Sequence, residues 1–268
     1  MGQFLTLPAS NVRLRALTLE FAWFGPESVP KDAPTLVFLH EGLGCVALWR
    51  DFPEALCERL QCRGLAYSRF AYGESTPRPH DEPFPADYLE RETQEVLPAV
   101  LDALGIERPW LIGHSDGGTI TLLAAANDPG CVRYSGIVAI APHYRVEEVC
   151  IAGIERARVA YEQGELRKRL AKYHRDVDSA FYGWCHVWLD PARRGWSIEA
   201  QLKNIACPAL AIQGVQDEYA TLDQIEAVQR HAPQTKLMKV DDCGHFPFLA
   251  HPEAVIEAIA AFVRDNCR

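Results

Sequence analysis

The feature that most constrains this chain is a glycine-flanked serine at a predicted strand-to-helix turn. Residues 113–117 read GHSDG, after the apolar run 109–112 and before the helix-forming stretch 119–126. A G-x-S-x-G turn of this kind strains the serine backbone and exposes its hydroxyl above the sheet. The helix that follows presents free N–H groups and a positive dipole end, which suit an oxyanion. Ser115 is therefore the candidate nucleophile.

A general base is expected further along the chain, and His245 is the preferred candidate. It follows the strand-like run 235–240 within the loop 241–247, so it would emerge at the C-terminal end of a strand. Chain order favours it over other histidines. Three of these also lie near predicted strand ends, and a swap of roles with them stays open: His40, His114 and His143.

The third partner should be a carboxylate that holds the imidazole in the correct tautomer. Asp217 fits, because it follows the apolar run 208–214 and would also emerge at a strand end. The order serine, aspartate, histidine is the one expected for a serine on such a turn. Glu218 is the nearest competitor. Other acidic residues stay open as weaker options: Asp241, Asp242, Glu147 and Glu148.

Taken together, these segments resemble the α/β-hydrolase superfamily over nearly the whole chain. The matching pieces, in the family's order, are residues 39–44, residues 69–75, the serine turn, Cys207-Pro208 and Gly244-His245. The resemblance implies that the backbone N–H groups of Gly42 and Asp116 form an oxyanion hole. It also implies that no metal or organic cofactor is needed.

One residue departs from the family pattern. Many members have glycine directly after the histidine of the oxyanion loop, where this chain has Glu41. A carboxylate aimed at a developing oxyanion would be repulsive. We therefore expect its side chain to turn away from the hole, toward Arg50 or Arg69, as a structural ion pair.

The wider pattern predicts an α/β fold with a mostly parallel, doubly wound sheet. Apolar strand-length runs alternate with helical patterns after residue 34, and residues 12–21 suggest an antiparallel edge hairpin before it. The runs 35–40, 65–70 and 134–141 are predicted strands. The predicted helices cover 49–60, 88–104, 222–231 and 254–263.

The alternation breaks over residues 143–203, where three helical patterns follow one another without a strand. This predicts an inserted helical cap, with a hydrolase core formed by residues 1–142 and 204–268. One or two cap aromatics should line a pocket, while most pack the cap onto the core. The expected substrate contacts are His40, Glu41, Tyr182, Trp184 and His186.

Charge and cysteine usage exclude several classes of partner. Lys and Arg total 27 against 36 for Asp and Glu, which gives a net charge of -9, and there is no basic run. A nucleic-acid partner is therefore not expected, and no run approaches the length of a membrane span. Nine cysteines without metal-ligand spacing indicate reduced thiols, no metal site and a cytoplasmic setting. The expected partner is a small-molecule substrate, and a homodimer stays open.

The expected activity is serine hydrolysis of a small or medium apolar acyl or aryl ester or thioester. Since one fold hosts many chemistries, the fold does not determine which bond the enzyme hydrolyses. A lactone stays open, as does a carbon–carbon bond in an aromatic ring-cleavage product. A different class of function also stays open, namely a non-catalytic ligand-binding protein that keeps the hydrolase fold.

Overall fold

A central sheet of eight strands organises the chain. The structure is a computed structural model and describes residues 2–8, 16–30 and 32–267. In spatial order the strands are β1-β2-β4-β3-β5-β6-β7-β8; β1 and β2 are antiparallel to their neighbours, and all later pairs are parallel. The strands are β1 Gln3–Leu7, β2 Leu17–Phe24, β3 Thr35–Leu39, β4 Arg63–Tyr67, β5 Trp110–His114, β6 Gly136–Ile140, β7 Ala209–Gly214 and β8 Lys236–Val240.

Helices connect the parallel strands and cover both faces of the sheet. Short 3₁₀ turns occupy Val46–Trp49 and Pro191–Gly195, and a π-helical turn, Glu92–Val96, separates α2 from α3. Within the described ranges, no helix combines the length and apolar character that a membrane crossing requires. The α-helices are α1 Phe52–Leu60, α2 Tyr88–Arg91, α3 Leu97–Ala103, α4 Asp116–Ala126, α5 Glu148–Glu162, α6 Glu165–Leu170, α7 Val177–Leu189, α8 Glu199–Leu202, α9 Asp223–His231, α10 Pro247–Ala250 and α11 Pro252–Asn266.

The parallel strands read as continuous apolar runs because both of their faces are buried. In β3, Val37 and Leu39 enter the core on the side of α4, α5 and α7, whereas Leu36 and Phe38 enter the core under α1 and α11. The other central strands alternate in the same way. This arrangement confirms the predicted doubly wound, mostly parallel sheet.

Several predicted boundaries are shifted. The edge pair does exist as β1 against β2, but residues 12–15 of the predicted hairpin lie outside the described residues. The strand predicted over 65–70 is β4, Arg63–Tyr67, because the chain turns over residues 70–74, where the Tyr72 N–H donates to Arg69 O (3.0 Å).

The segment between β6 and β7 contains α5, α6, α7 and α8 and no strand. Its two ends are tied together by an antiparallel bridge between Arg145 and Ser197. The N–H of Ile198 donates to Tyr144 O (2.8 Å) beside this bridge. The helices thus leave and rejoin the sheet at one place, although the domain limits at 142 and 204 stay a prediction.

Candidate active site

Ser115 occupies a sharp turn between β5 and α4. Its φ is +52° and its ψ is -115°, a conformation that L-residues rarely adopt. Two glycines permit the turn: a Cβ on Gly113 would lie 2.1 Å from Gly117 O, and one on Gly117 would lie 1.8 Å from Leu39 O. The backbone of α4 therefore passes close to both β5 and β3, and the serine is presented at the C-terminal edge of the sheet.

The imidazole of His245 is hydrogen-bonded on both nitrogens. Its Nε2 lies 2.9 Å from Ser115 Oγ, and its Nδ1 lies 2.9 Å from each carboxylate oxygen of Asp217. Because a carboxylate only accepts, Nδ1 carries the proton, which leaves Nε2 as the acceptor for the serine hydroxyl. This is the arrangement that a general base needs.

Asp217 is held as an ionised acceptor at the end of β7. Its Oδ1 also accepts from the Tyr219 N–H (2.8 Å). Burial by itself would raise the pKa of Asp217, but the hydrogen bond and charge of His245 outweigh it and lower that pKa. Glu218, the predicted competitor, instead accepts from the backbone N–H of His245 (3.1 Å).

The other three candidate histidines occupy different positions. His40 is fully buried, and both ring nitrogens bond to backbone: Nε2 accepts from the Arg69 N–H (2.9 Å) and Nδ1–H donates to Glu41 O (2.7 Å). Its predicted role as a substrate contact is therefore wrong, because the ring is used to hold the loop. His114 Nε2 donates to His245 O (2.8 Å). His143 faces the cavity, its ring 6.0 Å from that of His245, and burial lowers its pKa to about 4.

The two N–H groups predicted to form an oxyanion hole belong to Gly42 and Asp116. Among the described residues, neither N–H has a hydrogen-bond partner. Both residues line the same cavity as Ser115. A Cβ on Gly42 would lie 2.2 Å from Trp184 Nε1, so the indole packs directly over this glycine.

The carboxylate of Asp116 is the centre of a buried polar network that sequence reasoning missed. Tyr88 Oη donates to its Oδ2 (2.7 Å), Trp188 Nε1 donates to its Oδ1 (3.2 Å), and Arg69 Nη2 lies 3.5 Å from Oδ2. The same Arg69 Nη2 donates to Glu41 O (3.0 Å). The network therefore joins the start of α4, the loop after β3 and helix α7.

Glu41 does turn aside, but not to the predicted partners. Its Oε2 lies 3.6 Å from His114 Nδ1, whereas Arg69 contacts only its backbone carbonyl, and Arg50 forms no ion pair with any described residue. The predicted pairing with Arg50 or Arg69 is therefore wrong. Burial would raise the pKa of Glu41, but the contact with His114 outweighs it and lowers the pKa to about 2.

Ser115 and His245 open into a cavity of about 350 Å³ between the sheet edge and helices α5, α6 and α7. Of the predicted substrate contacts, Glu41 and Trp184 line it. Tyr182 and His186 do not, because they lie together on another side of α7, and His186 is exposed. Trp188, one turn after Trp184, was missed as a lining residue. Its i, i+4 spacing from Trp184 was the available signal.

A second cavity, of about 360 Å³, lies beside Tyr72, Phe84 and Tyr88. None of Ser115, Asp217 and His245 lines it. Because Ser115 and His245 line the first cavity, we take that cavity as the candidate active site.

Comparison with known proteins agrees with this architecture. Residues 36–258 match the family model described as "Alpha/beta hydrolase family". The chain is 26% identical over 193 residues to "Serine hydrolase BPHL" of Homo sapiens, which covers 68% of this chain and 62% of that protein. The match thus spans about three fifths of the human relative's length. "sn-1-specific diacylglycerol lipase ABHD11" of Mus musculus is 21% identical, covering 94% of this chain and 87% of that protein.

A solved structure repeats the fold. The enol-lactonase from Burkholderia xenovorans superposes with a TM-score of 0.71 at 17% identity, covering 92% of this chain and 97% of that one. At that identity the likeness concerns the fold alone.

Proposed function

Because the chain belongs to the alpha/beta hydrolase family, we propose that it is a serine hydrolase acting on a small or medium carboxylic ester or thioester. One observation carries the proposal: Ser115, His245 and Asp217 form a continuous hydrogen-bonded chain, with 2.9 Å at each step, and Ser115 and His245 line a largely apolar cavity. The names of the relatives, a serine hydrolase and a lipase, support the same chemistry.

In the proposed mechanism His245 Nε2 takes the proton of Ser115 as Oγ attacks the acyl carbon. Asp217 keeps Nδ1 protonated and stabilises the imidazolium that forms. The imidazolium then gives its proton to the departing alcohol or thiol, which leaves an acyl-enzyme. Water, activated by the same imidazole, releases the acid and regenerates the serine.

The N–H groups of Gly42 and Asp116 are the proposed oxyanion donors. The positions of these residues support the assignment. Gly42 directly follows Glu41, Asp116 directly follows the nucleophile, and both residues line the cavity. A preorganised donor of this kind typically contributes about a hundredfold or more to turnover. The buried network around Asp116 would hold its N–H in place without reorganisation.

The cavity walls favour an apolar acyl or aryl group. Trp184, Trp188 and Tyr219 supply aromatic surface, and Ile154 and Leu170 supply aliphatic surface. A cavity of about 350 Å³ suits a small to medium ligand. We include a cytoplasmic setting in the proposal, supported by nine cysteines that form no disulfide.

The test is intact-mass labelling with a fluorophosphonate, comparing the wild type with Ser115→Ala and mapping the modified peptide. We expect one adduct, on Ser115, that is absent in the variant. A substrate panel of esters, thioesters and a dienoic ring-cleavage product then identifies the bond. Activity on the dienoic compound alone would replace ester hydrolysis by carbon–carbon bond hydrolysis. Absence of any adduct would contradict the proposal and favour a binding protein.

A further inference from the structure

The cavity that contains Ser115 has a buried interior and an exposed rim. Ser115, Asp116, His143 and Trp188 are buried lining residues, whereas Arg50 and Arg169 line the same cavity and are exposed. The two arginines come from different elements, one from the turn before α1 and the other from α6. Two guanidinium groups therefore stand at the entrance.

These guanidiniums are uncompensated, unlike the other charges of the cavity wall. Asp116 is held by Arg69 and Tyr88, and Glu41 lies beside His114. By contrast, neither Arg50 nor Arg169 forms an ion pair or side-chain hydrogen bond with any residue in the described ranges.

The neighbours of Arg169 show that ion pairs were within reach on this helix. Arg167 pairs with Asp178 (2.7 Å) and Lys168 with Glu165 (3.4 Å). The chain also carries a net charge of -9, so acidic groups are in excess. Two unpaired cations that line one cavity therefore give its rim a local positive charge in an acidic protein.

Arg50 is additionally held in an unfavourable backbone conformation. Its φ is +54° and its ψ is -133°, a region in which a side chain is strained. Trp49 anchors the preceding turn, packed 5.0 Å from Phe248 and 5.9 Å from Phe52 between ring centroids. The Arg50 N–H donates to Ala47 O (3.3 Å). A glycine would meet this geometry at lower cost, yet an arginine occupies the position.

We infer that the substrate of this hydrolase is an anionic ester or thioester whose negative group binds Arg50 and Arg169 at the cavity rim while its acyl carbon lies at Ser115. This inference rests on the proposed function. Between rim and serine the wall is largely apolar, with Leu43, Leu48, Leu166 and Leu170 among its residues. The substrate therefore has a charged end, an apolar middle and a scissile carbonyl.

Such an anion has two chemical sources. It is a carboxylate at the far end of the acyl chain, or it is a phosphate on the leaving group, as in a coenzyme A thioester. Both place an oxyanion group opposite guanidinium donors, which bind carboxylates and phosphates in bidentate fashion.

Matched substrates separate the two sources. The first pair is mono-4-nitrophenyl adipate against 4-nitrophenyl hexanoate, which differ in the terminal carboxylate. The second pair is hexanoyl-4′-phosphopantetheine against hexanoyl-pantetheine, which differ only in the phosphate of the leaving group. We expect the anionic member of one pair to have the lower KM at low ionic strength.

The variants are Arg50→Gln, Arg169→Gln and the double variant, with Lys172→Gln as the control. Lys172 is exposed, lies three residues beyond Arg169 and does not line the cavity. Each arginine variant should raise KM for the anionic substrate about threefold to fivefold, and the double variant about tenfold or more. KM for the neutral partner and kcat should stay constant, Arg→Lys variants should keep part of the preference, and 1 M salt should abolish it.

Three results decide the inference. A charge preference that the double variant removes and Lys172→Gln retains supports it. Equal KM values within both pairs, or a preference that the double variant keeps, overturns it while serine hydrolysis of the neutral esters stands. Absence of turnover together with absence of fluorophosphonate labelling at Ser115 overturns the proposed function, and the inference falls with it.

Discussion

The hydrogen bond from Tyr88 to Asp116 offers a direct test of the buried network behind the serine. In Tyr88→Phe only the hydroxyl that donates to Asp116 Oδ2 (2.7 Å) is removed. The ring keeps its parallel stacking on Phe84, with centroids 5.4 Å apart, and its contact with Arg193. The substitution thus isolates one polar contact from the surrounding packing.

The expected loss in the free energy of unfolding follows from the partners that remain. A hydrogen bond to a charged group contributes about 1.5–3 kcal/mol. After the substitution, Asp116 keeps Trp188 Nε1 at 3.2 Å and the Arg69 guanidinium at 3.5 Å, both longer than the lost bond. Since a buried carboxylate that loses its shortest bond is costly, we expect a value near the upper end, about 2–3 kcal/mol.

Urea unfolding followed by circular dichroism measures this loss, and Tyr72→Phe is the matched control. Tyr72 is also buried and lies beside Arg69, but its hydroxyl has no hydrogen-bond partner within the part of the chain that the structure describes. Its removal should change the free energy of unfolding by less than about 1 kcal/mol. If Tyr88→Phe costs no more than Tyr72→Phe, the Tyr88 hydroxyl does not stabilise Asp116.

Three further predictions concern ionisable groups. Asp217→Asn should lower turnover by about 10⁴, because the imidazole loses its tautomer control, whereas Glu218→Gln should lower it far less; steady-state kinetics compares them. His143 stays neutral in the folded protein down to its pKa of about 4 but is protonated near pH 6.5 when unfolded. Unfolding therefore takes up a proton at His143 between pH 6.5 and 4, and this lowers the free energy of unfolding by about 3 kcal/mol as the pH falls through that range. In His143→Gln this part of the pH dependence should be absent. Burial raises the pKa of Glu92, so folding favours its protonated form and stability declines as pH rises through that pKa; Glu92→Gln, which still accepts from Tyr67, should be more stable than wild type at pH 7.5 in urea unfolding.

The parts of the site that follow from local sequence were predictable. A G-x-S-x-G turn between an apolar run and a helix places Ser115 at the sheet edge, because glycines at 113 and 117 are needed for the close approach of strand and helix. Asp217 and His245 follow predicted strands, and parallel strands end at the same edge. Their convergence is thus a consequence of topology, which periodicity reveals.

The parts that depend on which way a side chain faces were not predictable. Glu41 could be expected to avoid an oxyanion, but its partner His114 comes from another strand, so no spacing signals the pair. Likewise the aromatic residues of α7 recur at helical spacing, but which of them face the cavity depends on how α7 packs against the sheet. The sequence therefore predicts Tyr182 as a lining residue, whereas the structure has Trp188 in that position.

Asp116 connects the serine turn, which local sequence predicts, with the contacts of α7, which it does not. Its N–H is a proposed oxyanion donor, while its side chain accepts from Trp188 in the cap. Through Arg69 the same carboxylate is connected to the carbonyl of Glu41, next to the other proposed donor at Gly42. A movement of α7 away from the sheet would break the bond from Trp188 and would also lift Trp184 off Gly42. We therefore expect docking of α7 and alignment of both proposed donors to be coupled, so that movement of α7 to admit substrate leaves the two N–H groups less ordered until it returns.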